Sequence, residues 1–405
     1  MVFPVSIPIL LFMTITNYII HATNKLNALS SWCSAAPCPA NGLLWSRVSD
    51  GINTPIRFFE QLPHWRISLM KAILNYGAGD LRLESIPVPQ AQDDQVLLKV
   101  LACGICGGEY KLAKASNGAT PAAAGIIPGH EIIGEVVQSA TDTLPAGTRV
   151  AVSPNYSCGL CEACRTGHLY LCVNRPKRTA EIGGGYADYA LVYPGQCYAL
   201  PDDLETLDAA ITETLACCLH GVEKVNIQPG ERVLIIGAGA NAQLFVQIAR
   251  IRGASFVMVV DNLKDRTEMA LSLGADMAVD AAEQDPLAAS PLLSNGADVV
   301  IVNRGRPEAV TDAVNWCASS GRVLCYGVPP AGIPAPIEPH LLWKKEVSVV
   351  GSRSYGTSFG ASLALIASGR IQVRPIITRV VALDETIDAL RTPQASIKTV
   401  IVPSA

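Results

Sequence analysis

Four cysteines fall within fifteen residues, as Cys158-Gly159-Leu160-Cys161-Glu162-Ala163-Cys164 followed by Cys172. Thiolates at this spacing can close a tetrahedral shell, and a shell with four protein ligands leaves no position for a substrate. The expected occupant is a structural zinc. An iron–sulfur cluster also takes four thiolates, and buried or free thiols are the bland reading, although exposed free thiols invite oxidation. A second set is looser: Cys106, and His130-Glu131 in Pro128-Gly129-His130-Glu131. Taken singly, a cysteine is usually a small core residue and a histidine a hydrogen-bonded one. These two gain meaning only from their context.

A third set is Gly237-Ala238-Gly239-Ala240-Asn241-Ala242, between an apolar run and a helical one. Glycine permits a tight turn and lets backbone amides approach a pyrophosphate on a positive helix N-terminus. Gly237 alone could serve only the turn. Asp261, at the end of the next apolar run, is placed to accept from adenosine ribose hydroxyls and to repel a 2′-phosphate, which favours NAD over NADP. Arg266, a candidate cofactor-binding residue, lies with Lys264 close enough in sequence to make NADP conceivable.

The elements that must position these residues change in texture along the chain. Lys71 to Leu74, Val96 to Leu101 and Ile132 to Val137 are short apolar runs separated by Gly and Pro, which predicts a β-rich region. From about residue 230, Arg232 to Ile236, Phe256 to Val260, Asp298 to Val302 and Arg322 to Tyr326 read as strands buried on both faces of a parallel sheet. Leu244, Phe245, Ile248 and Ala249 recur at helical spacing between the first two, giving a strand–helix–strand unit. The fold class is α/β.

The 405 residues suffice for two domains and an extension. A composition 49% hydrophobic and 16% charged excludes a disordered chain, and a net charge of -4 gives no basic excess for nucleic acid. The 13 cysteines are clustered rather than spread as a disulfide framework, so metal binding is the better reading. A cytoplasmic protein is expected. Phe3 to Ile20 lacks any charge, yet it has no preceding Lys or Arg and carries Pro8 and Asn17, so it is a weak targeting or anchor signal. Residues 1–69 read as a loosely ordered extension, a targeting segment or a start placed too far upstream.

Gly104-Ile105-Cys106-Gly107, Gly129-His130-Glu131, the four-cysteine lobe, Glu213-Thr214-Leu215-Ala216 and Gly237-Ala238-Gly239 resemble, in order, the motifs of zinc-dependent medium-chain dehydrogenases. The likeness spans about residues 70–405 and looks closest to the polyol branch, which includes sorbitol, butanediol and threonine dehydrogenases. It implies a GroES-like β-barrel catalytic domain (70–208 and 352–405) interrupted by a Rossmann domain with a doubly wound parallel sheet (209–351). By resemblance, Cys106 and His130 ligate a catalytic zinc, with Glu131 and Glu213 completing the shell directly or through water. The zinc would polarise an alcohol or polyol oxygen for hydride transfer to NAD. One catalytic and one structural zinc, and a homo-oligomer (dimer or tetramer), follow from the same likeness.

Departures from the family pattern keep other readings open. Gly108, Glu109 and Lys111 stand where the family has a hydroxyl residue, Asp and His; Thr214 replaces a proline. Glu109 can still orient His130. A catalytically silent nucleotide-binding member and an NAD(P)H-dependent carbonyl reductase are the alternatives.

Overall fold

The computed structural model describes residues 68–403, apart from 78, 93, 115–124, 140, 175–183 and 394–395, together with the backbone of Trp45–Arg47 and Asn53–Pro55. Those two short segments pair antiparallel within a unit spanning Met1–Arg66, distinct from the unit Ile67–Ala405. The apolar stretch from Phe3 to Ile20 lies outside the described residues. No helix among the described residues is long and apolar enough to cross a membrane.

Leu69–Gly77 (β1) and Asp80–Pro87 (β2) form an antiparallel hairpin. Val96–Gly104 (β3) is apolar throughout but for Lys99, its one exposed residue, and forms the centre of a seven-stranded sheet. The helix Gly107–Lys114 (α1) follows it directly. Glu131–Ser139 (β4) pairs antiparallel with β3, Arg149–Val152 (β5) with β4, Tyr189–Val192 (β6) with β3, and Cys197–Ala199 (β7) with β5. This is the GroES-like domain.

After the helix Thr212–Val225 (α2) the chain alternates. Arg232–Ile236 (β8), the helix Ala240–Ile251 (α3), Phe256–Val260 (β9), Met277–Val279 (β10), Ala297–Val302 (β11), Cys317–Cys325 (β12) and Ser348–Gly351 (β13) follow in turn. The strands form one parallel sheet in the order β10-β9-β8-β11-β12-β13, a Rossmann arrangement. All five residues of β9 are buried, as an uninterrupted apolar strand covered on both faces requires. β12 begins at Cys317, well before the apolar run that starts at Arg322, because Cys317 already pairs with Ala297 ahead of an irregularity. Ser320, with φ 59, lies within that irregularity.

The strand order reverses between β8 and β11, so their carboxyl ends open a crevice, the usual ligand position of such sheets. Finally, Ile377–Ala382 (β14) and Lys398–Val402 (β15) return to the first sheet. β15 pairs antiparallel with β3, setting Val400 opposite Gly104 and Ile401 opposite Cys103. Ile105 N–H donates to Thr399 O at 3.0 Å. The chain's last strand is thereby locked beside the segment that carries Cys106.

Candidate active site

Three backbone devices set the cleft residues. Cys106 sits in the short link from β3 to α1. Gly129 adopts φ +91, and a Cβ there would meet the Tyr186 ring at 2.5 Å, so only glycine lets the chain enter β4 with His130 at this position. At Gly104 a Cβ would fall 1.9 Å from Glu131 Oε2, so this glycine makes room for the next carboxylate. As a result a Cys106 thiol, a His130 ring nitrogen and a Glu131 carboxylate oxygen lie within 4.8 Å of one another.

Glu109 organises the group. Its carboxylate accepts from Cys106 N–H at 2.7 Å, Gly129 N–H at 3.1 Å and the Tyr186 hydroxyl at 2.7 Å, and lies 3.0 Å from His130 Nδ1. Burial alone would raise this carboxyl, but the adjacent His130 charge and the donated hydrogen bonds hold it down at about 2. When the ring is neutral, as a metal ligand must be, an ionised Glu109 holds its proton on Nδ1 and leaves the lone pair on Nε2. The longer glutamate in place of aspartate therefore still reaches the ring.

Glu131 is buried against a cation that no motif marks. Lys398 Nζ donates to Glu131 Oε1 at 2.7 Å, to Ile105 O at 3.1 Å and to Thr214 Oγ1 at 3.1 Å. Burial opposes the ammonium charge, but Glu131 keeps it protonated. The hydroxyl of Thr214, a departure from the family's proline, thus serves as an acceptor for this lysine. The available signal for Lys398 was a lone charge at the start of the otherwise uncharged strand β15. Glu131 Oε2 makes no hydrogen bond of its own, although it belongs to the ion pair. Glu213, on α2, lines the same cavity but falls outside the three-residue cluster. Burial raises its carboxyl and the Cys217 thiol donates to it at 3.4 Å. Cys103 is wholly buried and packs in the barrel core.

Cys106, His130, Glu131, Glu213 and Lys398 wall a cavity of about 290 Å³ that Gly239, Ala240, Asn241 and Asn303 also line. Gly237 has φ +97, and α3 starts at Ala240 with no side-chain cap, leaving its first amides facing the crevice. Ala242 is fully buried and closes the helix against its strand. Asp261 is already engaged by the protein's own donors. It accepts from Ala238 N–H at 2.8 Å, Leu263 N–H at 3.0 Å and Arg304 Nη2 at 2.7 Å. Its charge is therefore partly balanced by an arginine that the motif did not include. Asp261, Arg304 and Arg306 line a separate cavity of about 250 Å³ beside β8 and β9; Arg266 is not among its lining residues.

The four-cysteine lobe stands apart. Sγ separations are 3.4 Å for Cys161–Cys164, 3.6 Å for Cys158–Cys172, and 3.9 Å for Cys158–Cys164 and Cys161–Cys172. A zinc–sulfur distance of about 2.3 Å gives tetrahedral edges of about 3.8 Å, so the thiols fit a zinc without rearrangement. Amides of Leu160 and Cys161 each donate to Cys158 Sγ at 3.4 Å and bring that thiol down to about 6, toward the thiolate a metal needs.

Known proteins share this plan. The alcohol dehydrogenase GroES-like domain family matches residues 92–202, and the zinc-binding dehydrogenase family matches residues 242–368. Sorbitol dehydrogenase of Bacillus subtilis is 30% identical over 329 residues, 79% of this chain and 92% of that protein. Sorbitol dehydrogenase of Bombyx mori is 33% identical, over 79% and 94%. A zinc-binding dehydrogenase of Sinorhizobium meliloti, solved bound to NADP, superposes with a TM-score of 0.77 at 33% identity, covering 83% of this chain and all of that one. The cleft donors and the glycine loop lie within the shared span, and the chain belongs to the zinc-type medium-chain alcohol and polyol dehydrogenases.

Proposed function

We propose that the protein oxidises a small polyol or secondary alcohol, passing its hydride to NAD. The observation that carries this is the single cavity in which Cys106, His130 and Glu131 face Gly239, Ala240 and Asn241. Metal donors on one wall and a dinucleotide loop on the other are the two components that hydride transfer must hold together. The relatives named for sorbitol, and those named for D-arabinitol and D-xylulose, support a polyol. Zinc, bound by Cys106, His130 and Glu131, would supply a Lewis acid that polarises the substrate oxygen. The chain's own residues do the rest. Glu109 fixes the His130 tautomer, Lys398 holds Glu131, and Glu213, outside the three-donor cluster but on the same cavity wall, is placed to complete the shell through water. The Gly237–Ala242 loop seats the cofactor pyrophosphate.

Asp261 favours NAD, with Arg304 tempering its repulsion of a 2′-phosphate. Two zinc ions per chain, a catalytic domain of 70–208 and 352–405 around a cofactor domain of 209–351, and a homo-oligomer complete the proposal. The test is reduction of NAD and of NADP by the full chain over sugar alcohols, diols, threonine and simple secondary alcohols, with zinc counted per chain. Turnover with NAD supports the reading. A protein that binds NADH but oxidises none of them is a silent member, and one active only with NADPH and carbonyls is a reductase.

A further inference from the structure

Alcohol oxidation must export a proton as well as transfer a hydride, and the family's exit hydroxyl is missing. Gly108 is exposed, and a Cβ at this position would meet nothing within 4 Å. Lys111, one turn on, reaches across the cleft and donates to Val328 O at 3.0 Å.

A different set of hydroxyls runs from a residue of the cavity wall toward solvent. Tyr110 lines the cavity. Its hydroxyl donates to Thr399 Oγ1 at 3.2 Å, and Thr399 Oγ1 lies 2.6 Å from Ser396 Oγ. Thr399 is 1% exposed, whereas Ser396 is partly open to solvent. Tyr110 and Thr399 are 289 positions apart and meet only because β15 returns beside β3. Packing alone explains a tyrosine ring against the barrel core, and β-propensity alone explains a threonine in a strand. Neither explains three hydroxyls in hydrogen-bonded series from a cavity-lining residue to a partly exposed serine.

We propose that Tyr110, Thr399 and Ser396 form the proton exit path for the oxidation proposed above, on which this inference rests. The substrate O–H bond breaks and its proton joins the Tyr110 oxygen. Tyr110's own proton passes to Thr399 Oγ1, that of Thr399 to Ser396 Oγ, and that of Ser396 to water. The C–H electron pair leaves with its hydrogen as hydride to the nicotinamide ring, so the products are a carbonyl, reduced cofactor and one released proton. Nearby charged groups are engaged elsewhere. Lys398 points to Glu131, Ile105 O and Thr214; Glu109 is held by His130 and Tyr186; Glu213, on the same cavity wall, accepts from the Cys217 thiol; Lys111 is bound to Val328 O. On the helix Thr386–Arg391, which packs against α1, Asp388 and Arg391 are exposed and paired with each other. The path itself is neutral from end to end.

The experiment compares Tyr110→Phe, Thr399→Val and Thr399→Ser with wild type on the alcohol that the panel identifies. Proton-transfer help of this kind is worth roughly 10² to 10⁴-fold. Tyr110→Phe and Thr399→Val should each lower kcat about 10²-fold near pH 7. Their KM, zinc content and NADH affinity by fluorescence titration should stay as in wild type. Their rates should recover as rising pH lets hydroxide take the proton, and their solvent isotope effects should grow. Thr399→Ser, which keeps the hydroxyl, should retain the wild-type profile. An active wild type whose Phe and Val variants change KM alone, or nothing, overturns the path, as does a Ser variant as impaired as Val. A wild type that binds NADH but oxidises no alcohol overturns the functional reading and the path with it.

Discussion

The two clusters of metal donors in this chain are built in opposite ways. In the lobe, Cys158, Cys161, Cys164 and Cys172 come from one short segment, and neighbouring amides of Leu160 and Cys161 support the first thiol. In the cleft, Cys106 follows β3, His130 and Glu131 open β4, and the ion pair that holds Glu131 comes from β15 at the far end of the chain. On the proposed reading the lobe would close a metal shell with its own four thiols and serve stability. The cleft cluster has three donors and a cavity in front of it, an arrangement that on the proposed reading would leave a coordination position for substrate. A local loop suffices to hold a metal, whereas metal chemistry on a substrate needs donors delivered by the whole sheet.

The largest expected effect separates the two clusters by activity. His130→Ala should reduce kcat/KM by roughly 10³-fold or more, the several kcal/mol that Lewis-acid assistance supplies, while the melting temperature moves little. Its ring is 24% exposed, so its removal leaves only a small core defect. Cys161→Ser should do the reverse. Loss of a ligand from a closed site should cost on the order of 5 kcal/mol of stability, within the exceptional range for one substitution. At low temperature, turnover per folded molecule should persist with one zinc fewer per chain. Zinc analysis with thermal unfolding of both variants checks the pair. Loss of both metals from either variant would break the distinction.

A smaller effect probes the far-end contribution. Lys398→Met leaves Glu131 buried without its cation, and breaking such a pair costs about 3 to 5 kcal/mol. Urea unfolding measures this directly. Lys398→Arg, which keeps the charge, should recover most of it, and an equal loss in both variants would show that shape rather than charge is at stake.

What the sequence made legible divides along the same line. The lobe could be read because its ligands are neighbours, and the parallel sheet because strands buried on both faces are unbroken apolar runs such as Phe256 to Val260. The glycine loop was readable because positive φ and a helix start restrict residue choice. The partners of those motifs were not. Lys398, Arg304, Tyr110 and Tyr186 meet their sites through strand return and register, which no local spacing encodes. Thr214 and Glu109, which look like defects beside the family pattern, are each hydrogen-bonded into the cleft.

The smallest expected effect concerns Asp261, where the cofactor half differs from both metal sites in using charge without a metal. The carboxylate side chain is 2% exposed. Burial pushes its pKa up, but the Ala238 and Leu263 amides and the Arg304 guanidinium outweigh this and hold it below the usual aspartate range. A carboxyl whose folded pKa is depressed contributes stability above its unfolded value, about 3.9, and loses that contribution as pH falls through the folded one. Asp261→Asn keeps an acceptor but cannot balance Arg304, so it should cost about 1 to 3 kcal/mol at pH 7, the worth of hydrogen bonds to a charged group. The gap between wild type and variant should close as pH falls below about 4. Asp298, paired with Arg232, titrates over the same acid range, but it is common to both proteins and cancels in the difference. Urea unfolding of the two proteins at pH 7 and at pH 3 decides the matter. A gap of equal size at both pH values would mean that the Asp261 charge adds nothing to the fold, and its pairing with Arg304 would then be a matter of cofactor choice alone.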